Sequence, residues 1–172
     1  MTVEEFEEKS RSIRLKENHR ICDKGNYETY GYVRGNQLYQ QGIHQIRLQF
    51  LKNQLSQNEE WNPWIFIGIC SATDRSAFGD VRYHKLRSSI GWSINGDLWM
   101  NGMGKRIQWT TIPIENDILT LTIDCDNRLL SLTNQRTQQK TKQISIDIKD
   151  KTPFPWCFYL VFANQGYSVR LL

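Results

Sequence analysis

From residue 45 to its end the chain keeps returning to a hydrophobic period of two, and no stretch of helical period separates the returns. Ile46, Leu48 and Phe50 alternate with Gln45, Arg47 and Gln49, the pattern of a strand with one dry face and one wet one. Ile90, Trp92 and Ile94 repeat it, as do Ile144, Ile146 and Ile148. Leu119, Leu121, Ile123 and Cys125 alternate with Thr120, Thr122 and Asp124, and Asp126-Asn127 then supplies a tight turn into Arg128, Leu129, Leu130, Ser131 and Leu132. That is the clearest hairpin in the chain. Residues 64–70 and 157–162 are apolar on both faces, as central strands are, and Val169 and Leu171 close the chain. A parallel α/β sheet needs crossover helices, for which there is no room. The expectation is an all-β fold, an antiparallel two-sheet β-sandwich over residues 19–172.

Residues 1–18 differ. Thr2 and Glu5 make a capping-box pattern, Glu4, Glu5, Glu7 and Glu8 come first, and Lys9, Arg11, Arg14 and Lys16 follow. That order suits a helix dipole. Apolar positions are sparse, at Val3, Phe6, Ile13 and Leu15. The expectation for 1–18 is a short, loosely docked N-terminal helical extension.

With 172 residues the chain is large enough to stand on a hydrophobic core without a metal or disulfide staple. The net charge of +4 comes from 22 basic and 18 acidic side chains that are dispersed rather than striped, which argues against a nucleic-acid partner. Cys22, Cys70, Cys125 and Cys157 stand far apart with no CxxC pair, and three lie in apolar strand-like runs. Buried free thiols and a reducing, cytoplasmic setting are expected. The N-terminus lacks a signal-peptide layout, no Asn-x-Ser/Thr sequon occurs, and no apolar run could span a bilayer as a helix. The reading is a monomer with neither a membrane nor a nucleic acid among its partners.

His19, His44, His84, Asp124 and Asp126 have no metal-ligand spacing, so no metal site is expected. Cys125 follows Asp124, but alternation puts its thiol on the dry face of a strand, where thiols are inert. Glu59 and Glu60 lie in a loop, and Asp124 and Asp147 fall on separate strands, so no poised carboxylate pair exists for glycoside hydrolysis. No catalytic residue and no cofactor are assigned; the chain reads as a non-enzyme.

The long irregular stretches are 52–63, 71–88, 102–116 and 134–142, and loops of that length on a rigid sandwich commonly carry function. Trp99, Trp109 and Tyr83, with Asn95, Asn101 and Asp97 nearby, could stack on and hydrogen-bond a sugar. A carbohydrate-binding, lectin-like sandwich is therefore the alternative reading. The opposing possibility for Trp99 is that it packs beneath a loop, since Trp is usually mostly buried.

The order of motifs resembles the SPRY (B30.2) family. Val33-Arg34-Gly35 and Tyr39-Gln40-Gln41-Gly42-Ile43-His44-Gln45-Ile46 are similar to the stretch that opens its conserved part. Ile67-Gly68-Ile69, then Ala72-Thr73 with Ser76, and Gly91-Trp92-Ser93 follow in order. Asn116-Asp117-Ile118 leads to Ile123-Asp124, residues 128–134 follow, and Pro153-Phe154-Pro155 and Val161 to Gly166 complete the series. Ile46 stands where the family has Trp, and Asn134-Gln135 lacks its Gly, marks of a divergent member. The resemblance implies a non-catalytic protein-interaction module, concanavalin-like in fold. Such domains often choose the target of a ubiquitin ligase or innate-defence protein. It also implies contact positions at Tyr83 and in the loop Ala163-Asn164-Gln165-Gly166. A peptide or protein partner would be gripped by the loops 71–88, 94–101 and 163–167. Arg75, Arg82, Tyr83, His84, Trp99, Asn164, Gln165, Gly166 and Tyr167 are the candidate contacts.

Overall fold

The computed structural model describes residues 4–25, 30–53, 64–74, 86–107, 113–149, 151–163 and 166–172. Among them, two seven-stranded sheets form, with every strand pair antiparallel. The first sheet runs in the order β1 (Phe6–Lys9), β4 (Gly31–Gly35), β13 (Trp156–Phe162), β6 (Ile65–Ser71), β7 (Ile90–Ser93), β8 (Asp97–Met100), β9 (Met103–Arg106). The second runs β12 (Ile144–Ser145), β11 (Leu129–Asn134), β10 (Ile118–Asp124), β5 (Ile43–Asn53), β14 (Tyr167–Leu171), β3 (Ile21–Lys24), β2 (Ile13–Lys16). No helix occurs among the described residues.

Alternation sets the facing. In the second sheet Leu121 of β10 lies opposite Ile46 of β5 and Leu132 of β11, all turned inward. The neighbouring Thr120 lies opposite Arg47 and Thr133 on the polar face. Val33, Ile67, Ile69, Trp92, Phe158 and Leu160 of the first sheet complete one inter-sheet core, each fully buried. A buried side chain of this size stabilises by roughly 1.5–3 kcal/mol, so facing is decided by many such terms at once.

The first sheet is covered on both faces. Tyr32, Phe66, Cys70, Leu86, Cys157, Tyr159 and Val161 form a second cluster on its outer side, with Tyr30, Trp64, Ala72 and Trp99 packed against it. This is why β6 and β13 read as continuous apolar runs, every residue of both being buried. Phe66 belongs to this outer cluster rather than to the inter-sheet core.

The expected N-terminal helix is not present. Residues 6–9 and 13–16 are strands, at the edges of the first and second sheets respectively. Phe6 and Ile13 are at most 1% exposed and join the inter-sheet core, a burial that a loosely docked helix could not give both. The Phe6 N–H donates to the His19 carbonyl, and Asn36 Oδ1 accepts from the Glu5 N–H at 3.1 Å. The Glu4 carboxylate accepts from the Tyr39 hydroxyl, buckling the N-terminal strand to the turn after β4. The charge order that suggested a helix reflects the wet side of two short strands.

Two expected loops also contain strands. The 94–101 and 102–116 stretches hold β8 and β9, joined by Asn101 and Gly102 at φ 54° and 79° with Met100 opposite Met103. Both turn residues at positive φ make a two-residue hairpin of the kind Asn-Gly favours. The Ile144, Ile146, Ile148 strand is shorter than its alternation suggests, ending at Ser145.

Candidate functional site

The outer face of the first sheet is where the 71–88 stretch begins and ends and where the turn at 163–166 starts. Arg34 of β4 points onto it, 3% exposed, with its Cζ 5.6 Å from the Tyr159 ring centre and its Nε 3.7 Å from the Glu8 carboxylate. Burial works against its charge, but Cys70, Cys157 and Glu8 outweigh that and hold its pKa above the ordinary value. Its Nη2 donates to the Asp74 carbonyl at 2.7 Å. The Asp74 carboxylate accepts from the Ser88 N–H at 3.2 Å, and Ser88 Oγ accepts from the Ser71 N–H at 3.2 Å. Asp74 and Ser88 are thus bonded to each other and, through Asp74, fastened to a cation buried in the sheet.

A second locus lies at the other end of the same face. Trp64, just before β6, meets Tyr30 and Trp99 edge-on, with ring centres 6.1 Å and 5.8 Å away. The Ala163 N–H donates to the Trp64 carbonyl, which ties the root of the 163–166 loop to this aromatic trio. β6 has seven residues between the two loci, roughly 20 Å at about 3.3 Å each. The loops 71–88 and 163–167, grouped from the sequence, therefore root at opposite ends of the sheet.

Of the sequence-predicted contacts, Arg75, Arg82, Tyr83, His84, Asn164 and Gln165 lie outside the described residues. Trp99 sits on β8, half-buried against Trp64, and is not a bare platform. Of the other lectin candidates, Trp109 and Tyr83 lie outside the described residues, while Asn101 occupies the hairpin turn and donates to the Arg87 carbonyl. Gly166, at φ 89°, makes the turn into β14. Tyr167 is 3% exposed and packs within the inter-sheet core. Sequence reasoning passed over Arg34, Tyr30 and Trp64. Arg34 was quoted only as part of a motif, and its place between Tyr32 and Gly35 carried no sign of a buried charge.

His44 and Asp124 both serve turns. His44 has its Nε2 2.7 Å from the Gln41 carbonyl and its ring against Tyr39, so it braces the turn into β5. Asp124 accepts from the Asn127 backbone and side chain, both at 2.9 Å, which holds its carboxyl below the usual range and fixes the hairpin turn. No group of three His, Cys, Asp or Glu able to hold a metal occurs among the described residues.

No family model matches the sequence, and no curated protein matches it. Solved structures do. The SPRY domain of human HERC1 shares 16% identity over 96% of each chain, with a TM-score of 0.68. The PSpry domain of TRIM65 shares 14%, covering 99% of this chain and 92% of that one, at 0.70. A human SPRY domain shares 10% over 96% of each chain, at 0.62.

Proposed function

We propose that this chain, whose sandwich is the SPRY-domain fold, is a non-catalytic module that binds a peptide or protein target through loops of the first sheet. The observation that supports it most is the bond between Asp74 and Ser88, which flank residues 75–85 in sequence and are anchored on buried Arg34. A loop rooted in this way can carry recognition residues without disturbing the core that holds it. Arg75, Arg82, Tyr83 and His84 lie in that segment, and Arg and Tyr are residue types that dominate binding energy when an interface buries them. Asn164, Gln165 and Gly166, which follow Ala163 in sequence, form a secondary contact for a partner broad enough to span the sheet. The finer part of the proposal is that the module selects targets for a ubiquitin-ligase or innate-defence protein in the cytoplasm, acting as a monomer. No cofactor enters it.

The test is capture from a cell lysate by the wild type and by the Arg82→Ala/Tyr83→Ala double variant, with both also applied to a glycan array. The double variant is expected to lose its protein partner while its stability stays within about 1 kcal/mol of the wild type, as exposed loop changes usually do. Retained capture, or binding competed by a free sugar, contradicts the proposal.

A further inference from the structure

The four cysteines are all free and buried, but two of them are not apart in space. Cys70 of β6 and Cys157 of β13 are directly opposed in the antiparallel register, and both side chains emerge on the outer face of the first sheet. Their sulfur atoms are 3.6 Å apart. Directly opposed antiparallel residues have Cα atoms about 4.5–5.5 Å apart, inside the roughly 4.4–6.8 Å range that a disulfide tolerates. The Cα spacing thus admits a disulfide, and closing it needs side-chain rotation together with a slight approach of the two strands.

We propose that Cys70 and Cys157 are a dithiol modification site, which a hydroperoxide converts to a reversible cross-strand disulfide. Its surroundings favour the chemistry. Arg34 lies opposite Tyr159, two positions from Cys157 on the same face, and places a permanent cation beside the pair. The Cys70 S–H and Arg34 hold the Cys157 thiol below its ordinary pKa, against the effect of burial, while burial pushes Cys70 well above. One sulfur thus serves as nucleophile and the other keeps the proton. Cys22 lies in the inter-sheet core and Cys125 beside two aspartates, with burial and those charges raising its thiol to about 11.

The sulfur of Cys157 attacks a peroxide oxygen, the O–O bond breaks, and the departing hydroxide takes up the thiol proton as water. Cys70 sulfur then attacks the resulting sulfenic sulfur; the S–S bond forms, the S–O bond breaks, and hydroxide leaves with the Cys70 proton as a second water. Two thiols lose two electrons and one hydrogen peroxide becomes two waters. Both cysteines are buried in the outer cluster that also holds Leu86 and Ala72, so the peroxide must enter as that cluster opens locally. The inference is independent of the proposed binding function.

The experiment treats the native, fully reduced chain with hydrogen peroxide, quenches it, and counts thiols after denaturation in iodoacetamide, with non-reducing peptide mapping. Two of the four thiols are expected to vanish, a linked peptide pair containing Cys70 and Cys157 to appear, and dithiothreitol to restore both. A Cys70→Ser variant, close in size, is expected to give no link and to leave Cys157 trappable by a sulfenic-acid probe. Four thiols surviving at a dose that fully oxidises glutathione overturns the proposal. So does loss confined to Cys22 or Cys125, or a link between any other pair.

Discussion

Glu4 and Arg34 show what single residues hide from a sequence. Both are charged types that composition assigns to the surface, yet Arg34 is buried and Glu4 is folded against Tyr39, Asn36 and Gln37. Burial lifts the Glu4 carboxyl to about 7 from 4.5, the value an exposed glutamate keeps. The folded chain therefore holds a proton that the unfolded chain has released over that interval. Stability from this group is complete below pH 4.5 and is lost as pH rises through about 7. Glu4→Gln keeps an acceptor for the Tyr39 hydroxyl and removes the titration. Its thermal midpoint is expected to change less with pH across that window than the wild type's; equal slopes would show that Glu4 does not set the dependence. Tyr167 is the opposite case, an amphipathic ring that borders a loop in sequence and sits in the core because it opens β14 on the inward parity.

Elements were legible where alternation was long or where both faces were dry. β5, β10 and β11 announce themselves by period two, and β6 and β13 by unbroken apolar runs. β1 and β2 hid because four residues each is too short for a period to show beside a stronger charge pattern. β8 and β9 hid because Asp97-Leu98-Trp99-Met100 and Met103-Gly104-Lys105-Arg106 mix polar and apolar residues, as expected of the sheet's edge. The Asn101-Gly102 dipeptide is the sequence signal for that hairpin. At the centre, Gly68 and Gly91 oppose each other where β6 and β7 approach closely. A Cβ on Gly68 would lie 2.1 Å from the Ile90 carbonyl oxygen. Gly68→Ala is expected to force the strands apart and cost about 1–3 kcal/mol or more in urea unfolding. An unchanged midpoint would mean the strands can yield. Leu121→Ala, which leaves a cavity between the sheets, and Phe66→Ala, which leaves one on the outer face, are each expected to cost about 2–5 kcal/mol. Wild-type stability in either would overturn the facing given above.

At the scale of the molecule, the two sheets are used differently. The second presents a polar outer face of Gln45, Arg47, Thr122 and their neighbours, while the first buries its outer face under aromatic rings and roots the 71–88 and 163–166 stretches there. The sandwich class was legible because strands without helices leave few architectures. The division of labour was not, since it depends on which face each apolar run turns outward and on where loop roots meet, both set by tertiary register. The candidate loops were visible as long irregular stretches, but their rooting at opposite ends of β6 was not. The proposed function assigns recognition to loops of the first sheet, above all to 75–85. Hydrogen–deuterium exchange of the chain with and without the partner it captures tests this most directly. The account predicts slowed exchange in 75–85, with a lesser effect around 163–166, and none on β5 and β10. Protection centred on the polar face of the second sheet would contradict it.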